Sequence, residues 1–216
     1  MKQAFAILLA AALISFSSSA FAKVIDERIY LIPSGKIDKK VLEGLKGRMP
    51  ALLPISAGVA IDPGQELSSD GYDTARKQYS AEIALAHIAA RTTIDTSNEC
   101  ALVITDADLY TQGSDYVFGL ADAKKVMGVL SLARLKNEFY GSKPDDRLFH
   151  DRVLKEALYV LGKSWGLGDC KNPRCAMYFS KEVADIDKKQ DRLCVECDKS
   201  LRHRYSNSLF GSLTLW

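Results

Sequence analysis

The chain has 216 residues, with 29 lysines and arginines against 27 aspartates and glutamates and a formal net charge of +2. That near balance gives no electrostatic footing for nucleic acid or an anionic membrane, and the basic run Lys199–Arg204 reads as the solvated face of a C-terminal helix. An apolar share of 47 % is enough for a packed core of about one domain.

Residues 1–22 have the anatomy of a secretory signal: Lys2, an apolar run over Ala4–Ile14, serines at 15 and 17–19, then Ala20-Phe21-Ala22. Cleavage after Ala22 is expected, giving an exported protein, periplasmic or secreted. The apolar run is too short for a spanning helix, so no stable membrane insertion is expected after cleavage.

Arg28–Ile32 is a β-rich run stopped by Pro33-Ser34-Gly35, a strand into a turn. Val41, Leu42, Leu45 and Met49 recur at helical spacing, so Asp38–Met49 is expected to be a helix broken at Pro50 and Pro54. Ile55–Ile61 returns to strand, Ser80–Ala90 is a helix, and Ala101–Thr105 is a buried strand. Tyr116–Leu120 and Val126–Leu132 flank Ala121–Lys125 and are expected to pair antiparallel. Asp151–Lys163 is the next long helix, and a tail with four cysteines follows. The order predicts an α+β fold of α/β type: a twisted mixed sheet with packed helices. Three segments are expected: the signal (1–22), a sheet-and-helix unit (23–169), and a small Cys-rich C-terminal subdomain (170–216). The last has few apolar runs and needs a metal or cross-links to hold it.

The helix and tail carry the most specific pattern. From Tyr159 the chain reads Y-V-L-G-K-S-W-G-L-G-D-C-K-N-P-R-C-A-M, with C-V-E-C at Cys194–Cys197. This punctuation resembles that of the archaemetzincins, whose pattern is H-E-x-x-H-x-x-G-x-x-H-C, a second Cys, a Met, then C-x-x-C. Gly166, Cys170, Cys175, Met177, Cys194 and Cys197 fit it. R-K-Q-Y at Arg76–Tyr79, D-x-D-L-Y around Asp108, V-F-G-L-A at Val117–Ala121, S-L-A-R-L at Ser131–Leu135 and K-E-A at Lys155–Ala157 also look like archaemetzincin segments, in order. The resemblance implies a metzincin-like fold, a zinc-peptidase ancestry, a structural zinc held by the cysteines, and Met177 as the Met-turn residue below a metal site.

The catalytic letters are absent. The positions of the two helical histidines, the glutamate and the third histidine hold Tyr159, Lys163, Val160 and Asp169. Two imidazoles at i and i+4 share a helix face and one ion, and the glutamate activates the metal's water. Lysine has no free lone pair at neutral pH, valine accepts no proton, and one carboxylate is a single ligand where catalytic zinc takes three. Catalytic zinc is therefore not expected. The sharper expectation puts the Lys163 ammonium against Asp169 beside Tyr159, in place of the ion; the plainer one makes these residues a solvated helix face.

Cys170, Cys175, Cys194 and Cys197 form C-x4-C…C-x2-C, zinc-site spacing, although an oxidising compartment turns such thiols into disulfides. Cys100 is expected to be a small core residue, and His87, His150 and His203 ordinary histidines outside the motif. Asp106, Asp108, Asp145 and Asp146 are expected in turn and cap roles. A peptide groove survives in this reading, with Val126–Leu132, in particular Val126, Gly128 and Leu130, as the sheet edge that a peptide or protein partner would pair with. Three functions stay open: a non-catalytic member retaining a structural zinc and a peptide cleft, an active peptidase with atypical ligands (Asp169, Tyr159 or Glu156), and an exported module with an idle cleft.

Overall fold

The computed structural model describes residues 26–211; the signal segment 1–22 lies outside them. Strands β1 (Asp26–Ser34), β2 (Ser56–Ile61), β5 (Glu99–Thr105), β8 (Gly119–Asp122) and β9 (Met127–Ser131) form a five-stranded sheet in the order β2-β1-β5-β9-β8. The first four of that order run parallel and β8 is antiparallel to β9. The short strands β3 (Tyr72–Asp73), β4 (Gln78–Ser80), β6 (Leu109–Thr111) and β7 (Ser114–Val117) form a second sheet, β3-β4-β6-β7.

Side chains alternate across the large sheet, so each strand feeds two cores. Ile29, Leu31, Leu102, Ile104 and Leu130 face helices α1 (Lys39–Leu52) and α3 (Asp146–Ser164). Ile32, Ala101, Val103, Met127 and Val129 face helix α2 (Ala81–Ala89), which contributes Leu85 and Ile88. Cys175, Ala176, Met177, Ile186 and Leu201 join the first of these cores, so the tail is packed on α3. Helices α4 (Val183–Lys188) and α5 (Val195–Gly211) complete it. On α5, Leu201 is buried while Lys199, Arg202 and His203 are exposed, as the basic run suggested.

Several boundaries differ from the sequence reading. Helix α1 runs two residues past Pro50. In the last turn the proline removes only the donor to the Lys46 carbonyl, at an exposed position where water replaces it. Helix α3 begins five residues earlier than expected because Asp145 caps it, accepting from Leu148 N at 2.9 Å. The run Tyr116–Leu120 divides at Phe118: Tyr116 and Val117 belong to β7 in the small sheet, and Gly119 onward to β8 in the large one. Only this second part pairs with β9.

The expected peptide edge is also corrected. β9, with Gly128 and Leu130, is an interior strand between β5 and β8, with all five residues buried and both ladders filled. The carbonyl of Val126, just before it, already accepts from Ala101 N. Among the edge strands are the consecutive β7 and β8, paired on one side only with β6 and β9 respectively.

Candidate functional site

α3 is the spine of the site. Val153, Leu154, Ala157, Leu158 and Leu161 are buried as the helical stripe required, and so are Arg152, Lys155 and Glu156. A polar face buried this way needs partners. Arg152 grips Asp187 through Nε and Nη2 at 2.7 and 2.8 Å, and its Nη1 donates to Leu135 O and Asn137 Oδ1. Lys155 pairs with Asp151 at 2.6 Å. Glu156 Oε1 accepts from Lys189 Nζ at 2.6 Å and from Ser180 Oγ at 3.1 Å. The Lys189 side chain is wholly enclosed, with Nζ 4.7 Å from the centre of the Tyr159 ring.

The helix ends in a Schellman motif. Leu167 N donates to Gly162 O and Gly166 N to Lys163 O, both at 2.8 Å. Gly166 has φ +79°, which disfavours a side chain, and a Cβ there would also strike the Arg204 guanidinium, which donates to Trp165 O. This turn brings Asp169 back over the helix. Asp169 Oδ1 accepts from Tyr159 Oη and from Lys163 Nζ, each at 2.9 Å. The positions that would have to converge on an ion thus converge on each other.

Their chemistry follows. Burial raises the Tyr159 phenol well above its ordinary value, and the bond to the Asp169 carboxylate raises it further. The phenol keeps its proton and directs it at Asp169. Burial opposes ionisation of Asp169, but the bonds from Lys163 and Tyr159 outweigh it and hold the carboxyl below its usual range. Val160, at the position of a general base, is buried against the sheet. A Cβ on either Gly119 or Gly128 would collide with its methyl groups, so the three residues form one close helix–sheet contact. An ammonium, a protonated phenol, a valine and one carboxylate oxygen do not fit a catalytic zinc.

The cysteines do fit a metal. The four Sγ atoms of Cys170, Cys175, Cys194 and Cys197 lie within 4.8 Å of one another, and Cys170 and Cys194 are 3.7 Å apart. Tetrahedral zinc with bonds of about 2.3 Å sets its sulfurs about 3.8 Å apart. Backbone N–H groups point at the sulfurs: Asn172 at Cys170, and Met177 and Cys194 at Cys175, at 3.2–3.4 Å. Such donors favour thiolates. Cys194 is partly buried, which opposes ionisation, yet the Cys197 N–H and the neighbouring thiols bring it down to about 7. Among the described residues, which include all five cysteines, none is joined in a disulfide. Met177, fully buried, lies against Gly162 of α3.

Other candidate residues take structural places. Asp108 holds Arg134 through two bonds of 2.7 and 2.8 Å and accepts from Gln78 Nε2, and Asp106 accepts from Lys36 N. His150 Nδ1 bonds Asp146 O on α3's outer turn, His87 lies beside Arg91 on α2, and His203 is on α5. Cys100 is fully buried in β5, where burial pushes its thiol up. A cavity of about 350 Å³ lies between residues 114–119 of the free edge and Glu156, Tyr159 and residues 179–181. Sequence reasoning missed Lys189, Ser180 and Phe179. In Asp187-Lys188-Lys189 nothing marks one lysine as enclosed, save Ile186 three residues before it on the same face.

The sequence profile of peptidase family M54 matches residues 53–203. The chain belongs to this family, the archaemetzincins. It is 34 % identical to the archaemetzincin of Pyrococcus furiosus over 184 residues, 82 % of this chain and 94 % of that protein. A zinc-dependent peptidase from Methanocorpusculum labreanum superposes with a TM-score of 0.73 at 29 % identity, over 80 % of this chain and 99 % of that one. The archaemetzincin of Methanopyrus kandleri gives 0.74 at 26 % identity, over 86 % and 99 %. The archaemetzincin fold is therefore present, as the cysteine frame implied.

Proposed function

We propose that this archaemetzincin-family protein is a non-catalytic member: it holds one structural zinc in its four cysteines and binds peptide in its cleft without cutting it. The observation that carries this is the closed triad of Tyr159, Lys163 and Asp169, with Val160 packed into the sheet where a base would act. Glu156, which also lines the cleft, is held at Oε1 by Lys189 and Ser180, and one carboxylate without a metal-bound water beside it is not a mechanism. A zinc in the cysteine site has four thiolate ligands and no open position, so it supplies cross-linking and no Lewis acid. Cys170 and Cys175 precede the cleft wall at residues 179–181 and Cys194 and Cys197 follow it, so the site pins both ends of that wall. The peptide reading rests on the free β7–β8 edge beside an aromatic-lined cavity, the arrangement of strand-addition binding.

Export after removal of residues 1–22 belongs to the same proposal. No helix among the described residues is long and apolar enough to cross a membrane. The test is peptide hydrolysis by the purified protein with and without added zinc. No turnover is expected in either case, and cleavage abolished by a chelator and restored by zinc would refute the proposal.

A further inference from the structure

The two walls of the cleft are joined across it. Tyr116, on β7, donates its hydroxyl hydrogen to the carbonyl of Lys181 at 2.7 Å, and both residues line the same cavity. Each side of this strap is anchored. The Tyr116 ring lies 4.0 Å from the Arg134 guanidinium carbon, and Arg134 is locked to Asp108 by two short bonds. On the other side Lys181 N donates to Asp185 Oδ2 at 3.1 Å, and the neighbouring Ser180 donates to Glu156.

A peptide adding to the free edge as an extra strand runs alongside β7 and β8. That path is the gap which the Tyr116–Lys181 bond spans, so a continuous chain is blocked there while the strap holds. Below it the walls are aromatic, from Phe118, Tyr159 and Phe179, with Phe179 48 % exposed at the surface. A volume near 350 Å³ is at the small end for ligand sites and suits one large side chain.

Taking the peptide-binding reading as given, we infer that the cleft receives the end of a peptide, led by a large apolar side chain, and excludes the middle of a longer chain. Tyr116 is the residue that sets this preference. The test uses peptides of glycine and serine carrying one phenylalanine at the first, central or last position, long enough to extend beyond the cleft. Binding is read from amide shifts around Ser180, Lys181 and Gly119 in the metal-loaded protein.

A terminal phenylalanine, at one end or the other, should bind at least tenfold more tightly than the central one. Tyr116→Phe keeps the ring on Arg134 and removes one neutral hydrogen bond, whose loss admits the central peptide about tenfold more readily. Equal binding of terminal and central peptides by the wild type overturns the inference, as does a preference that Tyr116→Phe leaves unchanged. If none of the peptides shifts these amides, the peptide-binding reading itself falls and the inference with it.

Discussion

Replacing Lys189 by methionine tests the most consequential contact that joins the tail to α3. The Lys189 side chain has no exposed surface and Glu156 has 2 %, and their 2.6 Å ion pair is shared with Ser180. Methionine keeps the stem and deletes the ammonium, leaving the Glu156 carboxyl buried and short of its counter-charge. Breaking one partner of a buried pair costs about 3–5 kcal/mol. For a domain of this size that is a fall in Tm on the order of 6–20 °C, at roughly 2–4 °C per kcal/mol. Denaturant unfolding of the metal-loaded variant measures it, with metal content confirmed so that loss of the cysteine site is not the cause. The double variant Glu156→Gln/Lys189→Met removes both charges and should recover most of the loss, to within about 2 kcal/mol of the wild type. A Lys189→Met cost below about 1 kcal/mol, the worth of a solvated pair, would refute the reasoning.

Three other outcomes follow from the same contacts. Asp169→Asn should lower stability by less than about 1 kcal/mol, because the Lys163–Asp169 pair is partly solvated at 32 % and 51 % side-chain exposure; a larger loss in chemical unfolding would show that the triad braces the turn. Gly166→Ala should cost about 1–2 kcal/mol by thermal denaturation, from the positive φ alone, with the Arg204 clash added to it. Glu27 is buried, which raises its carboxyl above the ordinary 4.5 despite the bond from Trp165 Nε1. Its charged form therefore opposes folding at neutral pH, and this opposition disappears as the pH falls through the folded value. The wild type should gain stability relative to Glu27→Gln between pH 7 and 4.5, and a constant difference over that range would contradict the assignment.

The fold was legible where local signals agreed with global packing. Ser80 accepts from Ile83 N at the start of α2, and the alternation in Ala101–Ile104 splits faithfully between the two cores. The edge strand was misread although Met127–Leu130 is a continuous apolar run. A continuous apolar run marks a strand covered on both faces, so the same letters argued for the interior. Phe118 gave no local sign that Tyr116–Leu120 changes sheet. At the site, the replaced letters left two readings open, and the 2.9 Å bond from Lys163 to Asp169 agrees with the sharper one while both side chains stay partly solvated. Lys189 was invisible because its burial depends on a tertiary contact with Glu156 33 residues away. Gly119 and Gly128 become intelligible only once Val160 is seen pressed against them.

The central claim is one intact metal site beside one closed one, and the number of zinc ions bound per chain tests it most directly. Elemental analysis of the purified protein, with free thiols counted in parallel, should give one zinc per chain, lost on substitution of Cys175 and retained in Asp169→Ala. Two zinc ions per chain, with the second lost in Asp169→Ala, would contradict the account at the helix. No zinc, with all four tail cysteines oxidised, would contradict it at the cysteines.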